Sequence, residues 1–229
     1  MIVGAKTPEF DYPVGDAASG EVGTGDATTS WTGTTGIPLK TFIDRLLFAI
    51  RLGDLNLLIS DQVTTESQLL WRRTIGERVS ALAPFVKWDG DPYLVVREDG
   101  GLSYMIDGYT TASTYPNARH YRLGNTRVNY IRNSVKIVTD AYNGNVSFYV
   151  FDTADPILGA YRKMFPSLFK DKSAMPEFLM KHVRYPELLF QLQASMYTAY
   201  HVENEQVFYN REDVWSIAQQ TRSQGGGQS

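Results

Sequence analysis

Two segments set a carboxylate and a phenol at the end of an apolar strand. Met105–Thr111 reads MIDGYTT and Ile137–Gly144 reads IVTDAYNG; in each, an Asp is followed after one small residue by a Tyr. If Asp107 and Asp140 lie side by side at one end of a sheet, with Tyr109 and Tyr142 beside them, the pair has the geometry that glycoside hydrolysis uses, two carboxyl groups about 5 to 10 Å apart. The same residue types also build turns. An Asp at a strand end accepts the backbone N–H groups of the following turn, and a Tyr packs its ring while its hydroxyl stays wet. That account needs no substrate and is the simpler one.

Between these segments Arg119, His120, Arg122, Arg127, Arg132 and Lys136 follow one another without an acidic residue, interleaved with Tyr115, Tyr121 and Tyr130. Such a strip can hold the phosphates of a polyanion while the rings stack on sugars or bases. Alternatively, the arginines pair with the acid-rich DGDP and REDG segments. Other chemistry finds no support. Lys40 follows Gly-Ile-Pro-Leu rather than opening a helix behind Gly-Lys-Ser/Thr, and no GxGxxG occurs, so both phosphate-loop patterns fail. His120, His182 and His201 are far apart, and Asp89-Gly90-Asp91 lacks the later ligands of a calcium loop. No Gly-x-Ser-x-Gly turn is present. No metal or cofactor is expected.

The elements that must position these residues follow from periodicity. Ile2–Ala5 reads as a short strand, and the prolines keep Pro8–Pro13 extended. Residues 15–36, rich in Gly, Thr, Ser and Asp, read as a mobile loop. Leu39, Phe42, Ile43, Leu46, Leu47 and Ile50 recur at helical spacing, ended by Gly53, and such a stripe commonly faces the core, though it can also lie on a membrane surface. Thr65–Gln68 has the spacing of a capping box, predicting a helix that buries Trp71, Ile75, Val79 and Leu82 and closes at Pro84. From Lys87 the period becomes two. Tyr93–Arg97 and Leu102–Ile106 form one hairpin around Asp99-Gly100, and Val135–Thr139 with Val146–Phe151 a second around Asn143-Gly144. Helices return at Pro156–Phe165, after Pro176, after Pro186 and over Glu212–Ala218, with Leu189, Gln193, Met196 and Tyr200 on one face. The expected fold is α+β, a mainly antiparallel sheet of two hairpins flanked by N- and C-terminal helices. It forms a single domain over residues 1–219, followed by a disordered tail at 220–229.

Composition narrows the function classes. Basic and acidic residues nearly balance, 22 against 25, so the chain as a whole does not attract polyanions and no nucleic-acid partner is expected. The absence of cysteine removes thiol nucleophiles, disulfides and thiolate metal sites. The most apolar stretch, Leu39–Ile59, is crossed by Lys40, Asp44, Arg45, Arg51 and Asp54 and does not span a bilayer. MIVGAKTPEF starts like a strand in mid-fold rather than a signal peptide, which suggests a fragment of a longer protein.

Several segments together carry a resemblance. TPEFDYP at Thr7–Pro13, GIPLKTFIDRLLFAIRLGDLNLLIS at Gly36–Ser60, NYIRNSVKIVTDAYNGNVSFYVFD at Asn129–Asp152, HVRYPELLFQLQASMYTAYHV from His182 and VFYNREDVW ending at Trp215 resemble, in the same order, an uncharacterised family of large multi-pass bacterial membrane proteins. The chain departs from that pattern at Thr35, where a glycine is expected, and at TRSQGGGQS, where members continue into further sequence. The resemblance implies a bacterial cell-membrane protein of which this chain is one piece projecting on the extracytoplasmic side. It implies no activity and no catalytic residues. The leading expectation is therefore a non-catalytic interaction or assembly domain whose partners are the remainder of its own membrane-embedded chain and other envelope proteins or polymers. Two alternatives stand beside it: an envelope enzyme acting on glycan or another polymer through Asp107 and Asp140, and a polyanion-binding module using Arg119, Arg122, Arg127 and Arg132.

Overall fold

A computed structural model describes residues 1–7, 9–14 and 25–218. The chain opens with β1 (Ile2–Val3), β2 (Glu9–Val14), β3 (Gly25–Thr29) and β4 (Ile37–Pro38), followed by α1 (Phe42–Leu52), α2 (Asn56–Ile59), β5 (Gln68–Leu69) and α3 (Ile75–Leu82). The central strands are β6 (Lys87–Trp88), β7 (Tyr93–Val96), β8 (Leu102–Ala112), β9 (Tyr121–Leu123), β10 (Thr126–Val128), β11 (Tyr130–Asp140) and β12 (Val146–Val150). Then come α4 (Pro156–Met164), β13 (Phe169–Asp171), α5 (Glu177–Lys181), α6 (Glu187–Tyr200) and α7 (Glu205–Asn210). The fold is α+β and its sheets are rich in antiparallel pairs. The largest sheet has the order β13-β12-β11-β8-β6, with β7 also paired to β8. No described helix is long and apolar enough to cross a membrane.

Contacts divide the chain into two compact units. The first comprises Met1–Val86, Tyr93–Met105 and Ile137–Phe148; the second comprises Lys87–Pro92, Ile106–Lys136 and Tyr149 onward.

In the first unit β5 lies between β1 and β4, with Leu69 opposite both Ile2 and Ile37. This pairing displaces the helix expected from Thr65. Gln68 and Leu69 give their backbone to strands far away in sequence, and Ser67 turns its hydroxyl to the Thr64 N–H (2.9 Å) and the Gly4 carbonyl (2.9 Å). The capping-box residue types are used as a turn. The helix begins only at Ile75; Val79 is buried, whereas Leu82 is exposed. Within the stretch read as a loop, Gly25–Thr29 is strand and pairs with β2, while residues 15–24 lie outside the described residues.

A small core of Leu39, Ala49, Leu57, Val63 and Leu69, packed against Phe48 and Trp71, holds α1 and α2. At the start of α1, Thr41 accepts the Asp44 N–H (3.1 Å) and the Asp44 carboxylate accepts the Thr41 N–H (2.9 Å), a reciprocal cap. Its hydrogen bonds from Thr41 hold the Asp44 carboxyl below its usual value. The helix ends at Gly53, whose φ of +69° disfavours any side chain. A Cβ there would meet nothing within 4 Å, so Gly53→Ala should cost only the conformational term, about 1 kcal/mol in a urea melt.

The apolar stripe faces the core only in part: Leu39 is buried in it and Leu46 is half-buried. Phe48 and Ala49 point inward, whereas Phe42 (67 % exposed), Ile43 (64 %), Leu47 (61 %) and Ile50 (71 %) face out. Leu55 and Ile59, around α2, are exposed as well. Helical spacing fixes a stripe but not which side is covered, and here the inner side is satisfied by two other residues.

In the second unit β6 pairs with β8, Lys87 opposite Tyr109. Helix α4 starts at Pro156 behind Asp155, whose carboxylate accepts the Ile157 N–H (3.0 Å). Pro176 and Pro186 are the N-caps of α5 and α6. The helix expected over Glu212–Ala218 is absent. Helix α7 ends where Arg211 adopts φ of +55°, and beyond it the Trp215 N–H donates to the Thr198 carbonyl (3.0 Å) while its indole stacks on His201 (3.8 Å). The tail at 220–229 lies outside the described residues.

Candidate functional site

Asp107 and Asp140 fall in different units, and each carboxylate is matched to a cation. Asp107 sits in a run of six buried residues on β8, Met105–Thr110. Its carboxylate pairs with the Lys136 ammonium and accepts the Asn133 side-chain amide (3.1 Å); Lys136 also donates to the Arg184 carbonyl (3.0 Å). Both members of the pair are buried. Tyr109, two residues on, is wholly buried and donates its hydroxyl to Asp89 (2.9 Å). Burial, reinforced by the Asp89 charge, pushes that phenol well above its usual range, so it is a donor and not a proton acceptor.

Asp140 ends β11 in the first unit. One oxygen accepts the Tyr142 N–H (3.1 Å) and the Asn143 N–H (2.5 Å), and the other accepts Arg97 Nη1 (2.6 Å). The turn it shapes, with Gly144 at φ of +70°, is a post for the 31–35 segment. The exposed Tyr142 ring stacks on Trp31 (6.2 Å), its hydroxyl accepts the Thr32 N–H (2.9 Å), and Asn143 Oδ1 accepts the Thr34 N–H (3.0 Å). All these groups are engaged in holding backbone.

The basic strip is split by the fold. Arg122 and Arg127 stand directly opposite one another on the β9–β10 hairpin, and Arg122 Nε donates to the Gly124 carbonyl (3.2 Å). Arg119 and Arg132 instead line one cavity in the second unit. Arg132 pairs with Asp152 (3.0 Å), whereas Arg119, Arg122 and Arg127 have no acidic partner among the described residues. The DGDP and REDG acids serve elsewhere: Asp89 takes Tyr109, Asp91 takes Arg184 (2.6 Å) and Asp99 takes Arg97 (3.0 Å). Lys136, counted with the strip, is the buried partner of Asp107.

Two features went unread in the sequence. Lys136 in SVKIV and Asp107 in MIDGY are lone charges in apolar strand runs, and a charge in such a run requires a counter-charge in a neighbouring run. That signal was available. Asp155 is the other: it accepts hydrogen bonds from Thr110 and Ser134 and from Tyr130 (2.9 Å), three hydroxyls from two other strands. Only the following Pro156 hinted at a helix cap.

Among the described residues no group of three His, Asp or Glu is placed to hold a metal ion. No solved structure matches the chain. The chain is 46 % identical to a UPF0182 protein of Alkaliphilus metalliredigens over 98 % of its own length, and 46 % identical to one of Bradyrhizobium diazoefficiens over 99 %. A UPF0182 protein of Desulforamulus reducens is 45 % identical over 95 %. The chain spans 23 % of the length of the first two and 22 % of the third, as a domain of a larger protein would. The family model for the uncharacterised protein family UPF0182 matches residues 1–227, and the chain belongs to that family.

Proposed function

We propose that this chain is a non-catalytic interaction domain of a multi-pass membrane protein, carried on the extracytoplasmic side, which docks through the outer face of α1 and α2 onto the remainder of its own longer chain. The exposed row of Phe42, Ile43, Leu47, Ile50, Leu55 and Ile59 carries the reading. Leaving six large apolar side chains in water forfeits the burial free energy that such residues ordinarily gain, and grouped apolar surface of this kind marks a contact. The relatives supply a partner of sufficient size, since they extend over roughly four times the length of this chain. The membrane side rests on the resemblance set out above.

The reading is tested by thiol labelling, which suits a chain without cysteine. Ile50→Cys in the full-length membrane protein is expected to react with a maleimide several-fold more slowly than Ile50→Cys in the 229-residue chain. Equal rates in the two would sink the docking face. Glu98→Cys, at an exposed turn, is expected to react with a membrane-impermeant maleimide in intact cells. Labelling only after lysis would put the domain on the other side.

A further inference from the structure

The second unit contains a cavity of about 550 Å³ whose lining suits a ligand with an anionic head and an apolar body. Leu189, Leu192 and Met196 of α6 form one wall, and Tyr121, Tyr130 and Tyr200 supply rings. Arg119 and Arg132 are the charged residues that line it; none of the lining residues is Asp or Glu. Arg119 lies over the Tyr121 ring, 5.7 Å from its centroid, and is exposed. Arg132 spends one nitrogen on Asp152, which leaves the rest of its planar donor fork available. The Tyr121 hydroxyl is buried and has no hydrogen-bond partner among the described residues.

The site is built before any ligand arrives. The 113–120 loop that forms its rim is pinned by one side chain: Asn129 accepts the Tyr115 N–H (3.1 Å) and donates to the Tyr115 carbonyl (2.8 Å) and the Ala118 carbonyl (3.5 Å). Asn117, at φ of +57°, supplies the left-handed bend, a conformation that Asn tolerates better than most residues. His120 closes the loop against the Ser113 carbonyl (2.9 Å).

We propose that this cavity binds an amphiphilic anion, a phosphate-headed molecule whose aliphatic tail lies along Leu189, Leu192 and Met196 and whose head is held by Arg119 and Arg132. Guanidinium groups grip phosphate through paired N–H donors, and the apolar wall then distinguishes an alkyl phosphate from phosphate alone. This site does not rest on the docking reading, because its residues all belong to the second unit.

Calorimetric titration of the 229-residue chain with octyl phosphate, inorganic phosphate and octanol tests it. Octyl phosphate is expected to bind at least about tenfold more tightly than either single part, since both halves of the site contribute. Arg119→Gln should weaken it by about 10- to 100-fold, the loss of charge-assisted bonds. Met196→Trp, which fills the apolar wall, should abolish tail-dependent binding with inorganic phosphate unaffected. Both variants are to be checked for an unchanged far-UV circular dichroism spectrum and melting temperature, and a variant that fails this check is replaced by Arg119→Ala or Leu192→Phe. Octyl phosphate binding no tighter than inorganic phosphate would reduce the site to a simple anion contact and overturn the proposal. Binding that survives both folded variants would place the ligand elsewhere and overturn it equally.

Discussion

Asp107→Asn is expected to destabilise the protein by about 3–5 kcal/mol, read as a shifted urea midpoint at unchanged slope. The side chains of Asp107 and Lys136 are each only 5 % exposed, so water cannot take over when one partner is neutralised. In the variant, the Lys136 ammonium keeps the Arg184 carbonyl at 3.0 Å and the new amide oxygen, and loses its counter-charge. The cost arises from the charge left behind rather than from the strength of the pair itself. The paired replacement Asp107→Leu with Lys136→Met should therefore recover most of the loss, because it removes both buried charges at once. Asp107→Asn within about 1 kcal/mol of the parent would mean that the pair is hydrated in solution.

Asp155→Ala should cost a comparable amount, about 3–5 kcal/mol, for a different reason. Removing the carboxylate strands the hydroxyls of Thr110 and Ser134, both buried, and of Tyr130, and it uncaps α4 at the Ile157 N–H. Burial alone raises the pKa of Asp155, but the hydrogen bonds from Ser134, Thr110, Tyr130 and the Ile157 N–H together outweigh it and hold the group below its ordinary 3.8. Burial, together with the hydrogen bond to Asp155, pushes Tyr130 up to about 12. A carboxyl group whose folded value is depressed stabilises the fold fully above its unfolded value and loses that contribution as pH falls through the folded one. The stability gap between the parent and Asp155→Asn should thus be constant near neutral pH and narrow below about pH 4. A gap that widened in acid would show that the carboxyl is protonated in the folded protein at neutral pH.

Much of the sheet was legible because its signals are local. Alternation marked the strands, and Asp-Gly and Asn-Gly marked turns in which Gly100 and Gly144 take φ of +79° and +70°. Asp140 could be read as a turn residue for the same reason, since its backbone partners are two and three positions away. What failed to show depends on distant chain. Ser67 meets Gly4 across 63 residues, and nothing in Thr65–Gln68 encodes that. The direction of the α1 stripe depends on Leu57, Val63 and Leu69 having chosen the Phe48 side. The arginine strip looked continuous in sequence, yet the β9–β10 hairpin puts two members opposite each other and leaves two on the cavity.

The runs Met105–Thr110 and Ser134–Thr139 are each six consecutive buried residues, so neither strand alternates between a wet and a dry face there. Amide protons in such a stretch exchange with solvent only when the sheet itself opens, whereas the end turns of a hairpin fray freely. The buried lysine, aspartate and hydroxyls of these strands are therefore sequestered on the slowest clock of the molecule. Any chemistry or recognition on a faster timescale falls to its loops and helix faces.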